Sequence, residues 1–208
     1  MRDCGSSVEE LHAFGGDLDG NKRVMRLRLL VVRAVVGGLF IGHGAQKLFG
    51  LFGGHGPEGT GQFFDNVGVR PGRRSAVAAG AAEAGGGALL VAGLLTALAG
   101  AALSSVMITA IRHVHSGKGP WVTEGGYEYN LVLLATIFAL IEAGPGPISL
   151  DRAFGTERCG TAWALAQLAA GGAGSLAVSK LAESGASADV EAPAESAERA
   201  DAPAHAPA

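Results

Sequence analysis

The sequence is short of cysteine and of charge. Its two cysteines, Cys4 and Cys159, stand far apart with no Cys-x-x-Cys pair, which excludes a dithiol oxidoreductase motif and a zinc ribbon. They read as two unpaired thiols of a reducing compartment. Charged residues make up 17% of the 208 residues, and the net charge of −3 comes largely from Asp and Glu in the two tails. No basic patch is present, so no nucleic-acid partner is expected. The run Asp17-x-Asp19-Gly20 looks like part of a calcium loop, but its twelfth position is Arg28 rather than a bidentate Glu. No metal site is read. A signal peptide is also rejected, because an acidic tail precedes the first apolar core, Arg33 interrupts it, and more apolar blocks follow.

What the chain does have is long apolar blocks. Hydrophobic residues reach 48%, glycine numbers 34, and the mean hydropathy is +0.30. Four blocks are long enough, or nearly so, to span a bilayer: about 27–48, 76–95, 97–114 and 127–143. The reading is an all-α, polytopic membrane four-helix bundle that spans residues 26–152. Residues 1–25 read as a flexible tail. Residues 153–183 hold a weaker apolar stretch around Trp163, interrupted by Gln167 and Gly171-Gly172, which reads as either a fifth span or an interfacial helix, with the span preferred. Residues 184–208, rich in Ala, Pro and Glu, read as disordered. Lys22, Arg23, Arg26 and Arg28 favour a cytoplasmic N-terminus, although Arg70, Arg73 and Arg74 nearly cancel that bias.

The first block is the one around which the others are arranged. Arg33, His43 and Lys47 interrupt its apolar run, and on a helix they fall within an arc of about 80°. Ala34, Gly37, Gly38, Gly42 and Gly44 lie among them, and small residues let a neighbouring helix approach closely. Ionisable groups at membrane depth must face protein or water. The second block carries a single carboxylate, Glu83, among glycines.

Antiparallel connectivity puts the ends of the first and third blocks on the same membrane face as the starts of the second and fourth. His43, Lys47, His113, His115, Tyr127, Glu128 and Tyr129 should therefore lie near one surface. Glu83 is about 13 Å below Arg74 and His43 about 6 Å below Lys47, at ~1.5 Å per residue. Glu83 is thus expected to pair with the first helix. Arg33, Glu142 and Asp151 are expected to form a smaller polar group at the opposite surface. The candidate polar cluster is Arg33, His43, Lys47, Glu83, His113, His115 and Glu128. Snorkelling explains Lys47, Arg112 and His115 equally simply, and an interfacial belt explains Trp121, Tyr127 and Tyr129. Glu83 and His43 are too deep for either.

These residues carry a family resemblance. Arg33, Gly42-His43-Gly44-x-Gln46-Lys47-Leu48-Phe49-Gly50, Gly59-Thr60 with Phe63-Phe64, Glu83 and its glycines, Ile111-x-x-Val114-His115, Gly125-Gly126-x-Glu128-Tyr129 and Gly144-Pro145-Gly146-x-x-Ser149-Leu150-Asp151 resemble the DoxX family of bacterial membrane proteins. The resemblance covers roughly residues 26–152. It implies a four-helix, multi-pass protein of the bacterial cytoplasmic membrane. The family is named for a subunit linked to quinone reduction with thiosulfate as donor. Another member has been linked to a complex with a superoxide dismutase and a sulfurtransferase, and most relatives have no assigned reaction.

Three functional classes follow. The first is a quinone-linked redox subunit of a membrane oxidoreductase complex. In it His43, Lys47, Glu83, His115 and Glu128 supply donors and a proton relay, and a soluble or membrane-bound partner supplies the electrons. A haem variant, with His43 and His113 as axial ligands, is disfavoured because their depths differ by several residues. The second is a non-enzymatic scaffold that docks soluble redox partners through loops and tails. The third is a small transporter, which would need helices broken at mid-depth.

Overall fold

The computed structural model describes the backbone of residues 18–200 and the side chains of residues 27–183. The N-terminal tail expected over 1–25 and the C-terminal tail over 184–208 therefore lie wholly or largely outside the described side chains. The described chain is helical throughout and contains no strands. Helix α1 runs Leu18–Phe49, α2 Gly56–Asn66, α3 Gly72–Ala92, α4 Thr96–Ala110, α5 Glu128–Ala143, α6 Leu150–Phe154 and α7 Thr161–Ala200. Helix α4 continues through a π-type turn at Ile111–His115 and a 3₁₀ turn at Ser116–Lys118.

Three helical stretches, Leu27–Phe49, Gly72–Ala92 and Thr96–Lys118, are long and apolar enough to cross a membrane. The protein is a multi-pass, all-α membrane protein. Large apolar side chains such as Val31, Val35 and Leu39 on α1 and Leu131 and Val132 on α5 face outward, as lipid-exposed positions require. The interior packs Val36, Phe40, Leu90, Leu103, Ile137 and Ile141.

Helices α1 and α3 meet backbone to backbone. A Cβ at Gly44 would lie 2.5 Å from the Ala84 nitrogen, and one at Gly87 would lie 2.5 Å from the Gly37 carbonyl oxygen. Gly37 and Gly44 are seven residues apart on α1, as Gly80 and Gly87 are on α3, so each pair lines one face of its helix. Gly38 and Gly42 point into open space and take no part in the contact.

Helix α7 packs along α4 and α5. Its partners rise in step with those of α4: Gln167 with Ser104, Ser175 with Arg112 and Ser179 with His113. The two helices are therefore parallel, and α7 packs lengthwise against α4 and α5. Gly171 and Gly174 permit this, since a Cβ at either would collide with Ser104 or Ser105.

Cys159 is disulfide-bonded, which corrects the expectation of two unpaired thiols.

Candidate functional site

At the end of the bundle where α1 and α4 finish, a cavity of about 750 Å³ opens between α1, α2, α3, α4, α5 and α7. His43 and Lys47 reach it from α1, Glu83 from α3, and His113 from the π-type turn after α4. Helix α2 borders it with Phe63 and Phe64. Alanine, valine, methionine and leucine side chains form most of the remaining wall, including Ala78, Ala82, Val106, Met107 and Leu133.

Glu83 is 2% exposed, and its Oε2 accepts a hydrogen bond from Lys47 Nζ at 2.6 Å. The close α1–α3 contact brings the two residues within reach of each other. Gly80, Glu83 and Gly87 share one face of α3, and Gly44 lies just before Lys47. An isolated carboxylate at membrane depth costs a few kcal/mol, and the ammonium offsets that cost. His43 lies on the same wall, with Nδ1 3.1 Å from Gln46 Oε1, one turn away. Gln46 in turn donates to the Phe52 carbonyl at 3.2 Å and so fixes the loop that follows α1.

His113 is held across the cavity by Ser179 of α7, at 3.0 Å from Nε2. Asn130 is buried beside it on α5, and its Nδ2 donates to the sulfur of Met107 at 3.4 Å. The sequence reading did not single out Asn130, because one amide near the start of an apolar block has no distinguishing pattern. Arg70 and Arg74, which the sequence marks only as flanking charges that weigh on orientation, both line the cavity.

Three of the candidate residues stand elsewhere. His115 Nδ1 lies 2.6 Å from the Gly125 carbonyl, and Glu128 Oε2 accepts from the Val122 N–H at 3.1 Å. Both brace the loop between α4 and α5 and do not line the cavity.

Arg33 lies toward the opposite end of the bundle and is 1% exposed. Its guanidinium donates to the carbonyls of Leu90 at 3.1 Å, Val91 at 3.0 Å and Ile148 at 2.9 Å, and to that of Pro145. It therefore satisfies the carbonyls that a helix end leaves open and ties α3 to the loop after α5. Asp151 grips the same turn from the other side. Its carboxylate accepts from the Leu95 and Thr96 N–H groups at 2.9 and 3.0 Å and from the Thr96 hydroxyl at 2.6 Å. Those bonds hold Leu95 at φ 48, a left-handed conformation rare for a branched side chain. Glu142 is not part of this group and instead accepts from Thr161 at the start of α7.

Burial pushes the Asp151 carboxyl up, but the hydrogen bonds from Thr96, Leu95 and Thr156 outweigh that and hold it below the usual aspartate range. Among the described residues no group of three or more His, Cys, Asp or Glu side chains is placed to hold a metal ion.

Residues 28–116 match the model of the DoxX family, a span that carries Arg33, His43, Lys47, Glu83, the α1–α3 contact and the histidines after α4. Over these residues, a little under half of its length, the chain is similar to the DoxX family. The match ends at Ser116, so α5, α6 and α7 lie beyond it. No curated protein and no solved structure matches the chain.

Proposed function

We propose that this protein is a quinone-binding redox subunit of a membrane oxidoreductase complex in the bacterial cytoplasmic membrane. The observation that carries the reading is the Lys47–Glu83 pair, set into the wall of a mostly apolar cavity at one end of the bundle. A quinone headgroup needs hydrogen-bond donors, a proton source and an apolar neighbour for its tail. The residues present fit each requirement. Lys47 offers ammonium protons to a ring carbonyl. Glu83, bonded to Lys47, can pass a proton to the same position. His43, on the same wall and partly exposed, connects the pair to water. A bound quinone would accept two electrons and two protons. No sequence motif identifies an electron carrier, so in this reading a soluble or membrane-bound redox partner supplies the electrons.

The haem variant fits less well, because the Nε2 of His113 is engaged by Ser179. The transporter reading calls for helices broken at mid-depth, whereas α1 and α3 run unbroken past Gly37-Gly38 and Glu83. The proposal is tested by quinol formation in membranes that carry the wild type, Glu83→Gln or His43→Ala. A fall to background in Glu83→Gln supports it, and undiminished quinol formation in both variants removes it.

A further inference from the structure

The mouth of the cavity carries positive charge that no described residue neutralises. Arg70 and Arg74 both line it and are exposed. Among the described residues, neither has a hydrogen-bond or ion-pair partner. Arg73, which lies between them in sequence, differs on both counts. Its Nε donates to Glu58 Oε1 at 2.9 Å, and it does not line the cavity. Deeper in, Lys47 is matched by Glu83, the one carboxylate among the lining residues. The two arginines are therefore the unmatched charges of the site.

Their place in the fold says what would match them. They sit where α3 begins, at the level where the helices leave the apolar layer, with Phe63 and Phe64 beside them. Below them the wall is apolar, through Ala78, Ala82, Val106, Met107 and Leu133. A guanidinium pair matches the fork of phosphate oxygens, and an apolar chamber matches hydrocarbon. We propose that this mouth binds an anionic phospholipid, with its phosphate at Arg70 and Arg74 and part of one acyl chain in the chamber. A zwitterionic lipid carries the same phosphate together with its own cation and is a poorer match. Free phosphate lacks the chain. The inference shares the apolar wall with the quinone reading but rests on the two arginines rather than on the Lys47–Glu83 pair.

The test is lipid binding to the full chain in an uncharged detergent, read by native mass spectrometry. Phosphatidylglycerol and phosphatidylcholine with identical acyl chains are the probes. Phosphatidylglycerol should bind roughly 30-fold more tightly, since each of the two basic residues contributes ~1 kcal/mol near an anionic surface. Millimolar inorganic phosphate should not displace it. Arg70→Gln with Arg74→Gln should abolish the preference, while Arg73→Gln should keep it. Equal binding of the two lipids by the wild type would overturn the proposal without recourse to any variant. Displacement by inorganic phosphate would reduce the site to a headgroup pocket and also overturn it. An equal loss of preference in Arg73→Gln would show general surface attraction only. The double variant leaves Lys47, Glu83 and His43 in place, so quinone binding measured alongside tells failure of this inference from failure of the quinone reading.

Discussion

Lys47 Nζ and Glu83 Oε2 lie 2.6 Å apart although they belong to different membrane helices, and only backbone contact between glycines allows it. The pair joins packing to chemistry: the α1–α3 contact positions it, and the cavity uses it.

Its energetics can be read by a double-mutant cycle. Lys47→Met leaves Glu83 buried without its cation and should destabilise the protein by about 3–5 kcal/mol, the cost of removing one partner of a buried pair. Adding Glu83→Gln removes the orphaned charge, so the double variant should recover part of that loss. Thermal unfolding in detergent measures both. Strictly additive effects would mean that the two side chains do not interact.

Gly44 and Gly42 should respond in opposite ways to the same substitution. Gly44→Ala drives a methyl group into the α3 backbone and should cost about 1–3 kcal/mol, as overpacking does. Gly42→Ala enters open space and should stay within ~0.5 kcal/mol of the wild type. Unfolding midpoints of the two variants check this.

Much of this geometry was legible in the sequence, because it follows from helical arithmetic. The arc shared by His43 and Lys47 needs only 3.6 residues per turn, and their match in depth to Glu83 needs only 1.5 Å per residue. The rest depended on features that arithmetic does not see. A π-type turn at Ile111–His115 shifts the register of the helix, so counting cannot say that His113 turns to Ser179 while His115 turns to a loop. Arg33 was grouped with Glu142 and Asp151, yet its four acceptors are backbone carbonyls, which leave no trace in side-chain pattern. Arg70 and Arg74 resembled ordinary flanking charges until α2 and α3 folded around the cavity.

The Arg33 clamp gives a prediction at the far end of the bundle. Arg33→Met would leave the Val91, Pro145 and Ile148 carbonyls without this donor and should cost at least ~3 kcal/mol, the scale of a broken buried network. Arg33→Lys should restore only a fraction, because one ammonium cannot reach acceptors spread over the end of α3 and the loop after α5. Unfolding of the three proteins under identical detergent conditions tests the order wild type, Lys, Met.

Asp151 should make stability fall in acid. Its folded-state pKa is held below the ordinary value of 3.8, so its contribution is full above that value and is lost as pH falls through the lower, folded-state pKa. Asp151→Asn removes this component, and its stability should change less than that of the wild type between neutral pH and the acid limb. Parallel acid dependences for the two proteins would show that the carboxylate does not hold the α3–α4 turn.

The central claim is that the Lys47–Glu83 pair and the cavity beside it form one quinone site. Equilibrium binding of a short-chain quinone to the purified protein tests it most directly, with the wild type compared against Glu83→Gln and against Arg33→Lys, which lies outside the cavity. The account predicts saturable binding by the wild type, retained in folded Arg33→Lys and weakened about tenfold or more in Glu83→Gln, the size of one lost charge-assisted hydrogen bond. Binding that is absent from the wild type, or the same in Glu83→Gln as in the wild type, would contradict it.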